Sequence, residues 1–173
     1  MKRILFGLIL ALALVFAIGS SSLAAPLSVG EAGSFVIFGE YAPFEIIFNG
    51  FVVGAGYAIS DGIAIGAEVM FIEDITLFGA FATMSLGSFT ATAEIQTIED
   101  VIFADVIGLY MFDLDTIKLG VGGGVMIWPG ITFFVIEGAV NFAAGDNFSI
   151  YGTVDYIIDL EATQFSVGVA LGL

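Results

Sequence analysis

The stretch Ile63-Ala64-Ile65-Gly66-Ala67-Glu68-Val69-Met70-Phe71-Ile72 decides the fold. Ile63, Ile65, Ala67, Val69 and Phe71 fall on one side of an extended chain, and Ala64, Gly66, Glu68 and Met70 on the other. Alternation with period two is the signature of a β-strand whose two faces meet unlike surroundings. The pattern returns at Phe89, Ala91, Ala93 and Ile95 against Thr90, Thr92, Glu94 and Gln96. It returns again at Phe148, Ile150, Gly152, Val154, Tyr156 and Ile158 against Ser149, Tyr151, Thr153, Asp155 and Asp159.

Outward from these segments, residues 33–173 divide into alternating runs of about ten to fourteen residues, long for the average soluble strand and long enough to cross a bilayer at a tilt. The punctuation falls at Ala42-Pro43, Ser60-Asp61-Gly62, Glu73-Asp74, Leu86-Gly87, Glu99-Asp100, Asp113-Leu114-Asp115, Pro129-Gly130, Gly145-Asp146-Asn147 and Leu160-Glu161. These turns predict ten strands, with eight as the alternative if two weakly punctuated segments merge. Every connection is short. An open sheet in hydrocarbon would leave N–H and C=O groups unpaired at several kcal/mol each, so a spanning sheet must close. The expected fold is therefore all-β: a closed antiparallel up-and-down transmembrane β-barrel. Residues 75–93 and 119–136 carry no charge except Lys118 just before the second, and each is nearly long enough for a membrane helix. Leu86-Gly87-Ser88, Gly122-Gly123-Gly124 and Pro129-Gly130 suit strand and turn better than helix interior.

Composition points to the same solvent. Of 173 residues, 59% are hydrophobic and 12% charged, whereas a soluble domain carries roughly 25% charge. Tyr41, Phe44, Tyr57, Phe71, Phe112, Trp128, Phe133, Phe142, Phe148 and Tyr156 fall near segment ends, as the interfacial girdles of a membrane barrel would.

The first segment reads as an address. Lys2 and Arg3 precede an apolar run from Ile4 to Ile18, and Ser22 and Ala24 occupy the small-residue positions before a cleavage site between Ala24 and Ala25. The expected organisation is a removable secretory signal over residues 1–24, a short segment over 25–32, and the barrel over 33–173. After removal, 18 acids face Lys118 alone, a net charge of about −17. Such a surface repels phosphate backbones and excludes nucleic acid as a partner.

At this point the sequence resembles the small outer-membrane barrel proteins of the OmpA/OmpX type. The resemblance rests on the secretion signal, the alternating strands, the short turns and the final run Phe165-Ser166-Val167-Gly168-Val169-Ala170-Leu171-Gly172-Leu173. That run looks like the carboxy-terminal signal read by barrel-assembly machinery, with Leu173 where an aromatic residue is usual. The resemblance implies an even strand number, both termini on the periplasmic side, the lipid bilayer and the assembly machinery as partners, and residence in the outer membrane.

If the apolar face meets lipid, the lumen receives Glu68, Glu94, Asp105, Glu137, Asp155 and Asp159 together with Lys118. Ions away from water are costly, and one lysine cannot neutralise six acids. The expectations are an interior polar network within a filled barrel, or a narrow cation-favouring water path. Small inward residues, namely Gly66, Gly120, Gly122, Gly124, Ala139 and Gly168, serve either a path or a slim barrel that closes tightly.

Catalysis finds little to work with. Without histidine or cysteine there are no Ser–His–Asp triads, Cys–His pairs or His-bearing zinc sites, and no disulfides. Asp155 and Asp159 are four residues apart on a strand, roughly 13 Å, too wide for a joint attack on one bond. Asp113 with Asp115, and Asp146 with Asn147, are turn formers that only a loose Ca²⁺ site would recruit. Gly120-Val121-Gly122-Gly123-Gly124 lacks the third spaced glycine of a dinucleotide fingerprint and the Gly-Lys-Ser/Thr of a P-loop. No catalytic residue, cofactor or metal is expected. The function expected is a non-enzymatic structural, envelope-integrity or surface-interaction role. The alternatives are a porin-like passive channel, or a soluble secreted or periplasmic barrel with an apolar ligand inside.

Overall fold

The computed structural model of the chain describes residues 31–43, 49–72, 75–98 and 101–173. The expected signal segment 1–24, with its cleavage site at Ala24 and Ala25, and most of 25–32 lie outside the described residues, as does Phe44.

Ten strands follow one another in the chain: β1 (Phe35–Pro43), β2 (Asn49–Ser60), β3 (Ile63–Ile72), β4 (Ile75–Leu86), β5 (Phe89–Ile98), β6 (Val101–Leu114), β7 (Ile117–Trp128), β8 (Ile131–Ala143), β9 (Phe148–Ile157) and β10 (Ala162–Gly172). Each pairs antiparallel with its neighbours in sequence, and β1 pairs with β10 to close the barrel. Ten rather than eight is the number. The expected turns also need adjusting. Pro43 ends β1, so Ala42-Pro43 is strand, Leu86 belongs to β4, and Asp113-Leu114 belong to β6. In the last two cases the ladder extends to where a residue can enter the left-handed region: Gly87 at φ 60°, and Asp115 at φ 69°. The pairs Glu73-Asp74 and Glu99-Asp100 lie outside the described residues. The uncharged stretches read against a helix are strands β4, β5, β7 and β8, and no helix among the described residues is long and apolar enough to cross a membrane.

Closure follows from backbone chemistry. Phe35 N–H donates to the Leu173 carbonyl and Leu173 N–H to the Phe35 carbonyl, at 3.2 and 2.7 Å, so the seam is bonded to its last residue. Both ends of the described chain therefore lie at one end of the cylinder, here termed the terminal end. The connections of β2–β3, β4–β5, β6–β7 and β8–β9 share it, and those of β7–β8 and β9–β10 lie at the distal end.

The outer wall is apolar around its circumference. Ile65, Val106, Val121, Ile136, Val154 and Val167 project from its middle, each between 40% and 52% exposed, which in water would be a large exposed hydrophobic surface. Aromatic side chains ring both ends: Tyr57, Tyr110, Phe112, Phe142 and Phe148 near the terminal end, and Tyr41, Phe51, Phe71, Phe134 and Tyr156 near the distal end. Trp128 and Phe133 depart from the girdle expected of them, because both point inward and are buried.

Candidate functional site: the lumen

Alternation places every second side chain of every strand inside, and the stagger of the strands sorts those side chains into layers. At the distal end the inner face is apolar: Ile72, Leu77, Phe103, Met126, Trp128, Phe133 and Ile157 are buried against one another. Trp128 meets Phe103 and Phe133 edge to face, with ring centroids 5.0 and 5.9 Å apart. Such pairs add about 0.5–1.5 kcal/mol beyond the area they bury. This cluster fills the lumen at its distal end.

The next layer toward the terminal end holds the buried acids of the described residues. Glu40, Glu68, Glu94, Asp105, Glu137 and Asp155 come one each from β1, β3, β5, β6, β8 and β9, and all are at most 3% exposed. Glu94 stands directly across from Asp105, and Glu137 directly across from Asp155, which in turn faces Gln164 on β10. The amide of Gln96 donates to Glu68 Oε1 at 3.0 Å and also to Glu94 Oε1. The carboxyl groups of Glu137 and Asp155 lie within hydrogen-bond reach of each other and Glu40 within reach of Tyr151 and Ser166, whereas both amide atoms of Gln164 are buried without a hydrogen-bond partner among the described residues. Among the described residues no three acidic side chains converge closely enough to hold a metal ion.

Toward the terminal end comes a layer of hydroxyls and rings. Thr83 and Thr92 bond across β4 and β5 at 3.0 Å, and Thr153 and Ser166 across β9 and β10 at 2.8 Å. Phe38 and Phe81 meet edge to face at 5.9 Å. Of the two roles open to the small inward residues, Gly66 and Gly168 take that of a slim, closed barrel, because each receives a ring, as Gly54 also does. Phe81 lies against Gly66, Phe38 against Gly54 and Tyr151 against Gly168, each glycine being the ring's cross-strand partner, with no room for a Cβ. Gly122 and Gly124 sit too close to the β6 backbone to carry one. Beyond this layer the barrel opens at the terminal end into a vestibule of about 290 Å³, lined among others by Val36, Ala58, Phe81, Lys118, Asn141 and Asp146.

The residues expected in a lumen network are placed as follows. Glu68, Glu94, Asp105, Glu137 and Asp155 share one layer. Lys118 does not reach them: it lies at the terminal rim, 3.8 Å from exposed Asp113. Asp159 is also outside the lumen, because the chain leaves β9 at Ile157 and forms a 3-10 turn over Ile158–Leu160. There Asp159 accepts a hydrogen bond from the Phe134 N–H at 2.9 Å. Asp155 and Asp159 consequently share no surface. The sequence reading missed Glu40, although Phe38, Glu40 and Ala42 alternate with outward Ile37 and Tyr41, and it left Gln96 and Gln164 out of the network.

No protein-family model and no curated protein matches the chain. Solved structures do. The KdgM porin is 10% identical at a TM-score of 0.53, the alignment covering 80% of this chain and 98% of that one. The Yersinia pestis outer membrane protein Ail is 12% identical with a TM-score of 0.45, covering 82% of this chain and 99% of that one. The N-terminal β-barrel domain of Pseudomonas aeruginosa OprF is 12% identical with a TM-score of 0.46, covering 83% and 100%. At such identities the likeness concerns the fold alone, and with the KdgM porin that fold is a closed antiparallel β-barrel.

Proposed function

We propose that the protein is a non-enzymatic integral barrel of the bacterial outer membrane, exported through the signal at residues 1–24 and placed in the bilayer by barrel-assembly machinery. Its role is structural, as a sealed element of the envelope wall. The observation that carries this reading is the lumen itself: Phe103, Trp128, Phe133, Leu77 and Ile157 close its distal end, and rings laid on glycines fill its middle. Filling by side chains is the usual state of small barrels. The connections at Asp61-Gly62, Gly87-Ser88, Asp115-Thr116 and Pro129-Gly130 are two residues each, too short to form a binding surface of their own. A soluble barrel with an apolar interior would need the opposite arrangement of faces.

A second reading, a narrow cation-favouring passage, draws on the acid layer and on the vestibule. The test combines fractionation with gel mobility and planar-bilayer recording. A structural barrel stays with the outer membrane, resists SDS until boiled and passes no current. Steady cation-selective conductance from the unaltered protein would replace the structural role with the passage. Recovery in the aqueous fraction without heat-modifiable mobility would overturn both.

A further inference from the structure

The acid layer is unevenly satisfied. Around Glu68 and Glu94 the Gln96 amide supplies donors. On the opposite wall nothing comparable is present. Glu137 and Asp155 are cross-strand partners on β8 and β9, so their carboxyl groups project side by side into the lumen, and each is fully buried. Gln164 faces Asp155 from β10, 2% exposed, with neither its carbonyl oxygen nor its amide nitrogen bonded. Buried polar groups are nearly always paired, so a group of them left open on one wall calls for something that pairs them together. Among the described residues no Lys or Arg can serve, since Lys118 is held at the rim.

We propose that the Glu137–Asp155–Gln164 wall binds one divalent cation of the hard, oxygen-preferring class. Two carboxylates match its charge, the Gln164 carbonyl adds a neutral oxygen, and water completes the shell, as oxygen-ligated cations commonly require. The site is a carboxylate pair with an amide rather than a three-acid chelate, consistent with the absence of a converging acidic triplet among the described residues. Access is one-sided. Trp128, Phe133 and Phe103 seal the distal end, whereas the vestibule reaches down to Phe81 and Asn141, and from Asn141 the inner face of β8 continues through Ala139 to Glu137. The distal seal keeps the ion from crossing, and exchange from the terminal end requires the rings of Phe38, Phe81 and Tyr151 to move aside. The inference rests on the packed, polar lumen of the proposed membrane barrel, and it adds an occupant to that lumen.

The experiment uses Tb³⁺ alone as probe and Ca²⁺ as competitor, on the folded protein in detergent, with heat-modifiable mobility checked for every variant. The expected result is saturable, tyrosine- or tryptophan-sensitised Tb³⁺ luminescence at one ion per barrel, displaced by Ca²⁺. Affinity should fall by about tenfold to a hundredfold in Asp155→Asn, Glu137→Gln and Gln164→Leu, the range typical when one group of a metal site is removed. The rim double variant Asp159→Asn/Glu161→Gln should bind as the unaltered protein does. Folded barrel without saturable luminescence, or luminescence lost in the rim variant and kept in all three lumen variants, would overturn the site. Loss of heat-modifiable mobility in the unaltered protein would instead count against the membrane barrel, a failure read on a separate axis.

Discussion

The ring of Tyr151 on β9 lies against Gly168, its cross-strand partner on β10, so closely that a Cβ at 168 would overlap the phenol. Phe38 with Gly54 and Phe81 with Gly66 repeat the arrangement on other strand pairs. Each glycine gives up its side chain to a neighbour large enough to fill two places, which packs a slim lumen and pins the register of the two strands.

Gly168→Ala should therefore destabilise the folded barrel, although alanine is ordinarily well tolerated in strands. Forcing one carbon into this contact costs about 1–3 kcal/mol, as overpacking generally does. Tyr151→Leu in the same chain should return part of that loss. Urea unfolding in detergent micelles measures both; equal stability of Gly168→Ala and the unaltered chain would contradict the contact.

The solvent outside the wall is open to a charge-insertion test. Val154 projects from the middle of the outer wall, and Asn147 from the β8–β9 connection at its end. Val154→Arg should cost about 2–4 kcal/mol in a bilayer, and Asn147→Arg close to nothing. Refolding equilibria in phospholipid vesicles give the two values. Equal, small costs would mean that water, not hydrocarbon, meets the wall.

The aromatic seal predicts a gain of conductance on removal. Trp128→Ala with Phe133→Ala takes away two of the three rings that close the distal end. Each truncation of this kind costs about 3–5 kcal/mol, so the variant is to be examined in vesicles at low temperature. Planar-bilayer recordings should show openings that the unaltered barrel lacks, favouring cations because the acid layer then lies next to the breach.

Gln96→Leu removes the amide that bridges Glu68 and Glu94. Leaving a buried acceptor without its donor costs about 1–3 kcal/mol, and the barrel should lose roughly that much. The conservative Gln96→Asn, too short to span both carboxyl groups, should fall between the two. Thermal unfolding followed by gel mobility ranks the three proteins.

The sequence by itself determined the barrel, because alternation is a local property: a strand buried differently on its two sides writes its faces into every second residue. Ten strands as the leading count over eight, the apolar outer face and the inward side of Glu68, Glu94, Asp105, Glu137 and Asp155 were legible in that way. Only the tertiary structure decided height within the lumen, which depends on the stagger between strands that are distant in sequence and on closure between β1 and β10. Stagger brings Glu40 level with the other acids, leaves Lys118 at the rim, and gathers Trp128 and Phe133 with Phe103 from three strands into the seal. The turn at Ile158–Leu160 carries Asp159 out of the lumen, since a chain leaving the ladder no longer obeys its period.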